Sequence, residues 1–195
     1  DNFGENGFFY ISYYDTNIGT HNVVYTDIEN TDNYDHIYQS DLCGWVGQLG
    51  YNKDSIYGAN VFTAEGNETL KAASFYATGK DSQYELYVVR QFEDETSLEK
   101  MIPVASGKLG NAGYYTVDFN QGIEVDAGER YAVVLYIITP GSVHPMAIEY
   151  AADEATENVD LDDGESYISA NGSKWVSVDT VEKSNLCIKA FSDNR

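Results

Sequence analysis

Positive charge is scarce in this chain. Eleven lysines and arginines face 32 aspartates and glutamates, for a formal net charge of −21 over 195 residues, and the sequence pI is about 4.1. A field of that sign repels phosphate backbones, so nucleic acid and anionic membranes are poor partners. It suits a secreted or surface-exposed soluble protein, or one that holds cations. Long apolar runs are missing too, and none approaches the roughly 20 residues of a membrane helix. The chain opens Asp1-Asn2-Phe3-Gly4 with neither a methionine nor a signal peptide, which is the start expected of a trimmed or partial piece. Cysteine is nearly absent. Cys43 and Cys187 are too few and too far apart for a disulfide framework, and both are expected to be reduced. Cys187 lies in the apolar run Leu186-Cys187-Ile188, the setting of a buried thiol. The three histidines, His21, His36 and His144, show no metal-ligand spacing.

Amphipathic helical periodicity is also lacking. What the chain has instead is tyrosine, 17 of them, and short alternating runs between turn residues. Aromatic and β-branched enrichment at period two predicts strands. At about 150 residues per domain the length allows one domain with a real core. Leu70 to Phe92 is expected to form a hairpin: Tyr76 ends one alternating run, Gly79 sits in the turn cluster, and Tyr84 to Val89 forms the second. Tyr131 to Ile138 (YAVVLYII) is almost wholly apolar, which predicts a strand buried on both faces at the centre of its sheet. Pro103 marks its strand as an edge or a loop. Asn171-Gly172 predicts a hairpin turn, with Trp175 to Val178 pairing back. Residues 44–57 are expected to be a long irregular loop. Residues 151–163 are weakly patterned, with room for a short helix. Further strands are expected at Phe8 to Tyr13, His21 to Thr26, His36 to Gln39, Gly113 to Phe119, Gly122 to Asp126 and Asn185 to Phe191. Many short strands with turns every 8 to 12 residues predict an all-β fold, an antiparallel β-sandwich of jelly-roll type.

The opening GENGFFYISYYD (residues 4–15) resembles the closing segment of papain-family cysteine peptidase domains. The remainder of the chain resembles the lectin-like domain found directly after the catalytic domain in surface and secreted papain-like peptidases of anaerobic Gram-positive bacteria. The resemblance is carried, in order, by NYDHIYQSDLCGW, ANVFTAEGNETLKAASFY, YELYVV, AGYYTVDF, VDAGERYAVVLYIITPG, AIEY, GESYIS, KWVSV and NLCIKAF. It implies a tail of the peptidase domain at residues 1–15 and a lectin-like β-sandwich at 16–195. It further implies a non-catalytic module whose partner is its own upstream peptidase domain, secreted or at the cell surface, with glycan or cell wall as the other candidate ligand. The family's catalytic cysteine, histidine and asparagine map to no position here.

The residues themselves offer three chemistries. Cys43 and His36 are the sole sequence-local thiol–imidazole pair, and without papain-type surroundings they are expected to be structural. Calcium, which takes several oxygen ligands from acidic loops, has two candidate places. One is the loop carrying Asp27, Asp32 and Asp35. The other carries Asp160, Asp162 and Asp163, where the order of acids resembles an EF-hand start but Gly164 falls one position late and no closing glutamate follows. Sugar binding by sandwiches uses exposed aromatic platforms with a few polar groups; Tyr34, Tyr38, Trp45, Tyr51 and Tyr57, clustered in sequence around the long loop, are the candidates.

Overall fold

The computed structural model describes residues 10–16, 23–26 and 28–195. The chain divides into two units, Asp1–Asn33 and Tyr34–Arg195. In the first, the described residues hold no strand; Tyr13 and Tyr14 occupy a turn closed by the Asp15 amide donating to the Ser12 carbonyl at 3.0 Å. The strand expected at Phe8 to Tyr13 is therefore not formed over residues 10–13, and Phe8 and Phe9 lie outside the described residues. Val23 to Thr26 likewise form no strand, and His21 and Asn22 lie outside the description.

The second unit is built of thirteen strands: β1 (His36–Tyr38), β2 (Gly47–Leu49), β3 (Ser55–Thr63), β4 (Glu68–Ala77), β5 (Ser82–Val89), β6 (Ile102–Leu109), β7 (Gly113–Val125), β8 (Arg130–Ile138), β9 (Met146–Glu149), β10 (Glu165–Ser169), β11 (Val176–Ser177), β12 (Asn185–Leu186) and β13 (Ile188–Asn194). A 3₁₀ turn at Glu95–Glu99 and one helical turn at Val178–Val181 are the helical pieces. A four-stranded sheet in the order β1-β13-β4-β7 faces a six-stranded sheet in the order β11-β10-β3-β8-β5-β6, and β12-β9-β2 forms a small third sheet. Every pairing is antiparallel. This is the expected antiparallel β-sandwich.

Leu70, Ala73 and Phe75 of β4 and Ile188 of β13 meet Ile56, Leu86, Val133, Leu135 and Ile137 of the six-stranded sheet, all at 0–1% exposure, in the core between the two sheets. β8 lies between β3 and β5 as its apolar run requires. Its alternate residues Ala132 and Val134 are equally buried, in a second cluster with Ala59, Val89, Phe92 and Leu98 of the 3₁₀ turn. Both faces of β8 are thus covered. Pro103 sits on the edge strand β6, and the register of β5 against β6 shifts beside it, between Leu86 and Tyr87.

Four expectations are corrected. Leu70 to Phe92 is no hairpin: β4 pairs with β13 and β7, β5 with β8 and β6, so the turn at Gly79 carries the chain from one sheet to the other. The alternation identified both strands, but alternation does not name a partner. Residues 44–57 are not one irregular loop, since β2 and the start of β3 lie there. The two strands expected across 113–126 are one, β7, whose pairing with β4 shifts between Leu70 and Ala72. Gly122 fills that bulge, where a Cβ would stand 2.5 Å from Thr69 Cγ2. Finally, residues 151–163 form turns and no helix.

The last strand is broken at Cys187. Its amide donates to the Ala147 carbonyl at 3.1 Å, tying β12 to the small sheet before β13 joins the large one. Buried Asn60 fills the break: Nδ2 donates to the carbonyls of Leu186 (2.9 Å) and Ile188 (2.8 Å), and Oδ1 accepts from Ser166 Oγ at 2.7 Å. Every polar atom of that amide is satisfied inside the core, as burial demands.

Candidate functional site

Asn185, at the start of β12 and 1% exposed, is the centre of a cluster of polar oxygens. Its Nδ2 lies 2.9 Å from the Ser40 carbonyl, 2.9 Å from the Asp160 carbonyl, 3.0 Å from Glu149 Oε2 and 3.3 Å from Asp163 Oδ1. An amide nitrogen has two hydrogens to donate, so four acceptors exceed what it can satisfy. Glu149, on β9, is fully buried, and its carboxylate also accepts from the Cys43 amide. No lysine, arginine or histidine pairs with it among the described residues, and a buried carboxylate without a cation is expensive. Burial, and secondarily Asp160, pushes the Asp163 carboxyl above its ordinary range. The Gly164 backbone runs against this group; a Cβ there would stand 2.7 Å from Asn185 Oδ1. A half-turn of the Asn185 amide exchanges nitrogen for oxygen and leaves five oxygens converging. A hard cation such as Ca²⁺ takes an all-oxygen set of carbonyl, amide and carboxylate ligands, whereas zinc favours sites that include His or Cys. A cleft of about 250 Å³, lined among others by Ser40, Cys43, Glu149 and Asp160, adjoins the group.

Of the six predicted cation ligands, this arrangement brings together Asp160 and Asp163. Asp162 points elsewhere, pairing with Lys183 Nζ at 3.0 Å. Asp35 accepts from the backbone and side chain of Asn194. Asp32 belongs to the other unit and Asp27 lies outside the described residues. Among the described residues no group of three His, Cys, Asp or Glu side chains is arranged for a metal; the Asn185 group has two carboxylates and completes its number with carbonyls. Sequence reasoning missed Glu149, Asn185 and Ser40. The available signal was polar: Glu149 closes the apolar strand Met146-Ala147-Ile148, and Asn185 precedes Leu186-Cys187-Ile188.

The five aromatic candidates do not form one platform. Tyr34 packs on Phe191 with centroids 4.9 Å apart and donates to Asp118. Tyr38 is structural, its hydroxyl 2.8 and 2.9 Å from the two Glu68 oxygens. Trp45 leans on Tyr76, which in turn packs on Tyr114, on the four-stranded sheet. Tyr51 packs against the main core. Tyr57 stacks on Tyr136 of β8, centroids 4.2 Å apart and planes 21° from parallel. Among the described residues no two of the five rings stack on each other.

Cys43 and His36 do not form a dyad. The His36 ring meets Asn194, Glu65 and Glu68. Desolvation and then Glu149 push the Cys43 thiol up, the opposite of an activated nucleophile. Both cysteines are free and Cys187 is buried. No helix among the described residues is long and apolar enough to cross a membrane.

A model of the family described as "Lectin like domain" matches residues 37–192, most of the strand-bearing unit. The chain belongs to the lectin-like domain family. Two solved structures share its fold. One is the clostridial cysteine protease Cwp84 after propeptide cleavage, with a TM-score of 0.68, 24% identity, and coverage of 82% of this chain and 40% of that one. The other holds the cysteine protease and lectin-like domains of Cwp84, a surface layer associated protein of Clostridium difficile, with a TM-score of 0.64, 21% identity, and coverage of 82% and 36%. The chain therefore spans about two fifths of the length of these proteins. No curated protein matches it in sequence.

Proposed function

We propose that this lectin-like domain is the non-catalytic companion of a papain-like cysteine peptidase at or outside the cell surface, which supports the peptidase domain and contacts glycan. The observation that carries the reading is the pairing, in both structures of the same fold, of that fold with a cysteine protease. The likeness of residues 4–15 to the end of a papain-family domain supports it, as does a field of −21 that disfavours nucleic acid and anionic lipid. The complete reading frame should encode a papain-type cysteine, histidine and asparagine ahead of residue 1, and the 195-residue chain alone should cleave no peptide. Peptide hydrolysis by this chain that is abolished by Cys43→Ala overturns the reading.

A second reading is favoured by the crowded acceptors at Asn185: the domain is calcium-stabilised. Ser40, Glu149, Asp160, Asp163 and Asn185 hold the ion, which neutralises the buried Glu149 and ties β9 and β12 to the loop after β1 and the loop after β9. Calorimetric titration with Ca²⁺ alone should show one site per chain, and a flat trace overturns this reading.

A further inference from the structure

Tyr57 is only the back half of an aromatic wall. The strand registers align Ser169, Tyr57, Tyr136, Glu85 and Ser106 in one row across β10, β3, β8, β5 and β6. The next row on the same face runs Ser55, Ile138, Gln83 and Lys108. This face is opposite the main core, because the residues between, such as Ile137 and Leu86, point inward, and Tyr136 lies past Ala132 and Val134, the part of β8 that the second cluster covers. Tyr57 is held from behind: Gly172, in the left-handed region at φ +74, lies so close that a Cβ would stand 3.2 Å from its ring, and Trp175 meets it edge-on at 6.2 Å. Tyr57 then stacks on Tyr136, which leaves the other face of Tyr136 turned along the row toward Glu85. A cleft of about 380 Å³ opens there, lined among others by Tyr136, Tyr84, Gln83, Glu85, Ser106 and Lys108. That volume lies within the roughly 300–1,000 Å³ of ligand clefts.

One aromatic face opposed by exposed amide, hydroxyl, carboxylate and ammonium groups is the chemistry that holds a sugar ring. Weakly positive C–H groups lie on the ring's negative π-face, while the rim bonds the hydroxyls. The charge chooses among sugars. Glu85 stands at the rim, Lys108 is shared with Asp81 at 3.6 Å, and the whole field is strongly negative. Uronates, sialic acid and phosphorylated glycans are repelled. We infer that the cleft beside Tyr136, on the outer face of the six-stranded sheet, binds an uncharged pyranose unit of an oligosaccharide stacked on Tyr136. The inference rests on reading the domain as glycan-contacting, and it gives that contact its place.

The test is a glycan array printed with uncharged, N-acetylated, uronate and sialylated oligosaccharides, probed with the 195-residue chain. Uncharged or N-acetylated pyranosides should bind. Tyr136→Ala should weaken that binding by about tenfold or more, and Tyr136→Phe should keep it. Gln83→Ala, exposed on the cleft rim and outside the core, should weaken it with thermal unfolding unchanged, which separates lost contact from lost fold. A blank array with folded protein, or binding indifferent to both Tyr136→Ala and Gln83→Ala, overturns the assignment of this cleft. Either result leaves attachment to a peptidase domain standing, since that is decided by the reading frame and the hydrolysis assay.

Discussion

At the scale of single residues, two buried polar groups in the same neighbourhood stand in opposite conditions. Tyr131 is fully buried with its ring against Tyr38 and Phe62, yet its hydroxyl has no hydrogen-bond partner among the described residues. A buried unsatisfied donor costs about 1–3 kcal/mol, so Tyr131→Phe, which keeps the ring, is expected to be neutral or to raise stability in denaturant titration. Glu68 is equally buried and fully served. It accepts from Tyr38 Oη, from Ser192 Oγ at 2.5 Å and from the Gly66 amide at 2.8 Å. Desolvation raises its pKa, but those hydrogen bonds and nearby His36 outweigh it and hold the carboxyl below its ordinary range. A group whose folded pKa is depressed contributes stability above its unfolded pKa and loses it as pH falls through the folded value. Glu68→Gln turns an amide N–H₂ toward donors. It is expected to cost about 2–3 kcal/mol near pH 7, and the gap from the parent should narrow as pH falls below the ordinary carboxylate range, where the parent carboxyl protonates too. His36 opposes this weakly. Its bond to Asn194, ahead of the nearby carboxylates, raises its pKa, so its contribution is present at acid pH and fades as pH rises through the folded value. Thermal unfolding of both proteins across that range checks the prediction; a gap that does not change with pH rules out ionised Glu68 as the source.

At the scale of elements, the sequence spoke most clearly where one residue type covers both faces. YAVVLYII became β8, between β3 and β5, with Val133 and Leu135 in the main core and Ala132 and Val134 in the second cluster. Pro103 announced an edge or a loop, and the structure gives the edge, where a missing donor is tolerated. Partner choice was not written locally. Leu70 to Phe92 alternates as a hairpin does, but the sheets claim its two strands separately, because β13 and β7 flank β4 and β8 and β6 flank β5. The candidate sites were legible in proportion. Asp160 and Asp163 drew notice as acids in a loop, whereas Asn185 offers only a polar residue ahead of an apolar run, and the two backbone carbonyls carry no pattern at all. Tyr136 was hidden inside an apolar run whose signal was burial; only the register against Tyr57 and Glu85 shows that it faces outward. The same arrangement sets local stability. Amides of β8 and β3, paired on both sides within the six-stranded sheet, should exchange hydrogen slowest, at rates governed by global unfolding. Those of the two-residue edge strand β11 and of β1 should exchange orders of magnitude faster. Hydrogen–deuterium exchange read by NMR decides it, and protection of β11 equal to that of β8 would contradict the sheet order.

At the scale of the whole molecule, the excess of acid has to be reconciled with a compact fold. Charge of −21 on 195 residues works against compaction through self-repulsion, and most acids among the described residues lie on exposed loops and strand faces where water screens them. Glu149 is different, because it is buried, with no cationic side chain paired to it among the described residues, beside carbonyls and a second carboxylate that all turn toward Asn185. An ion bound there by the folded state alone raises stability by mass action, about 2.7 kcal/mol at a hundredfold excess over its dissociation constant. For a chain of this length that corresponds to roughly 5–10 °C in Tm. Ca²⁺ should therefore raise the Tm by that amount over EDTA-treated protein at constant ionic strength, and Mg²⁺ should raise it less, since carbonyl-rich irregular cages suit the larger ion. Asp163→Ala removes a ligand whose exposed position lets the fold survive, so it should abolish the Ca²⁺ increment while leaving the EDTA value within a few degrees. Asp162→Ala, which removes only the partner of Lys183, should keep the full increment. If Ca²⁺ shifts both variants and the parent alike, the gain comes from general screening of the negative surface and the cage at Asn185 is not its source.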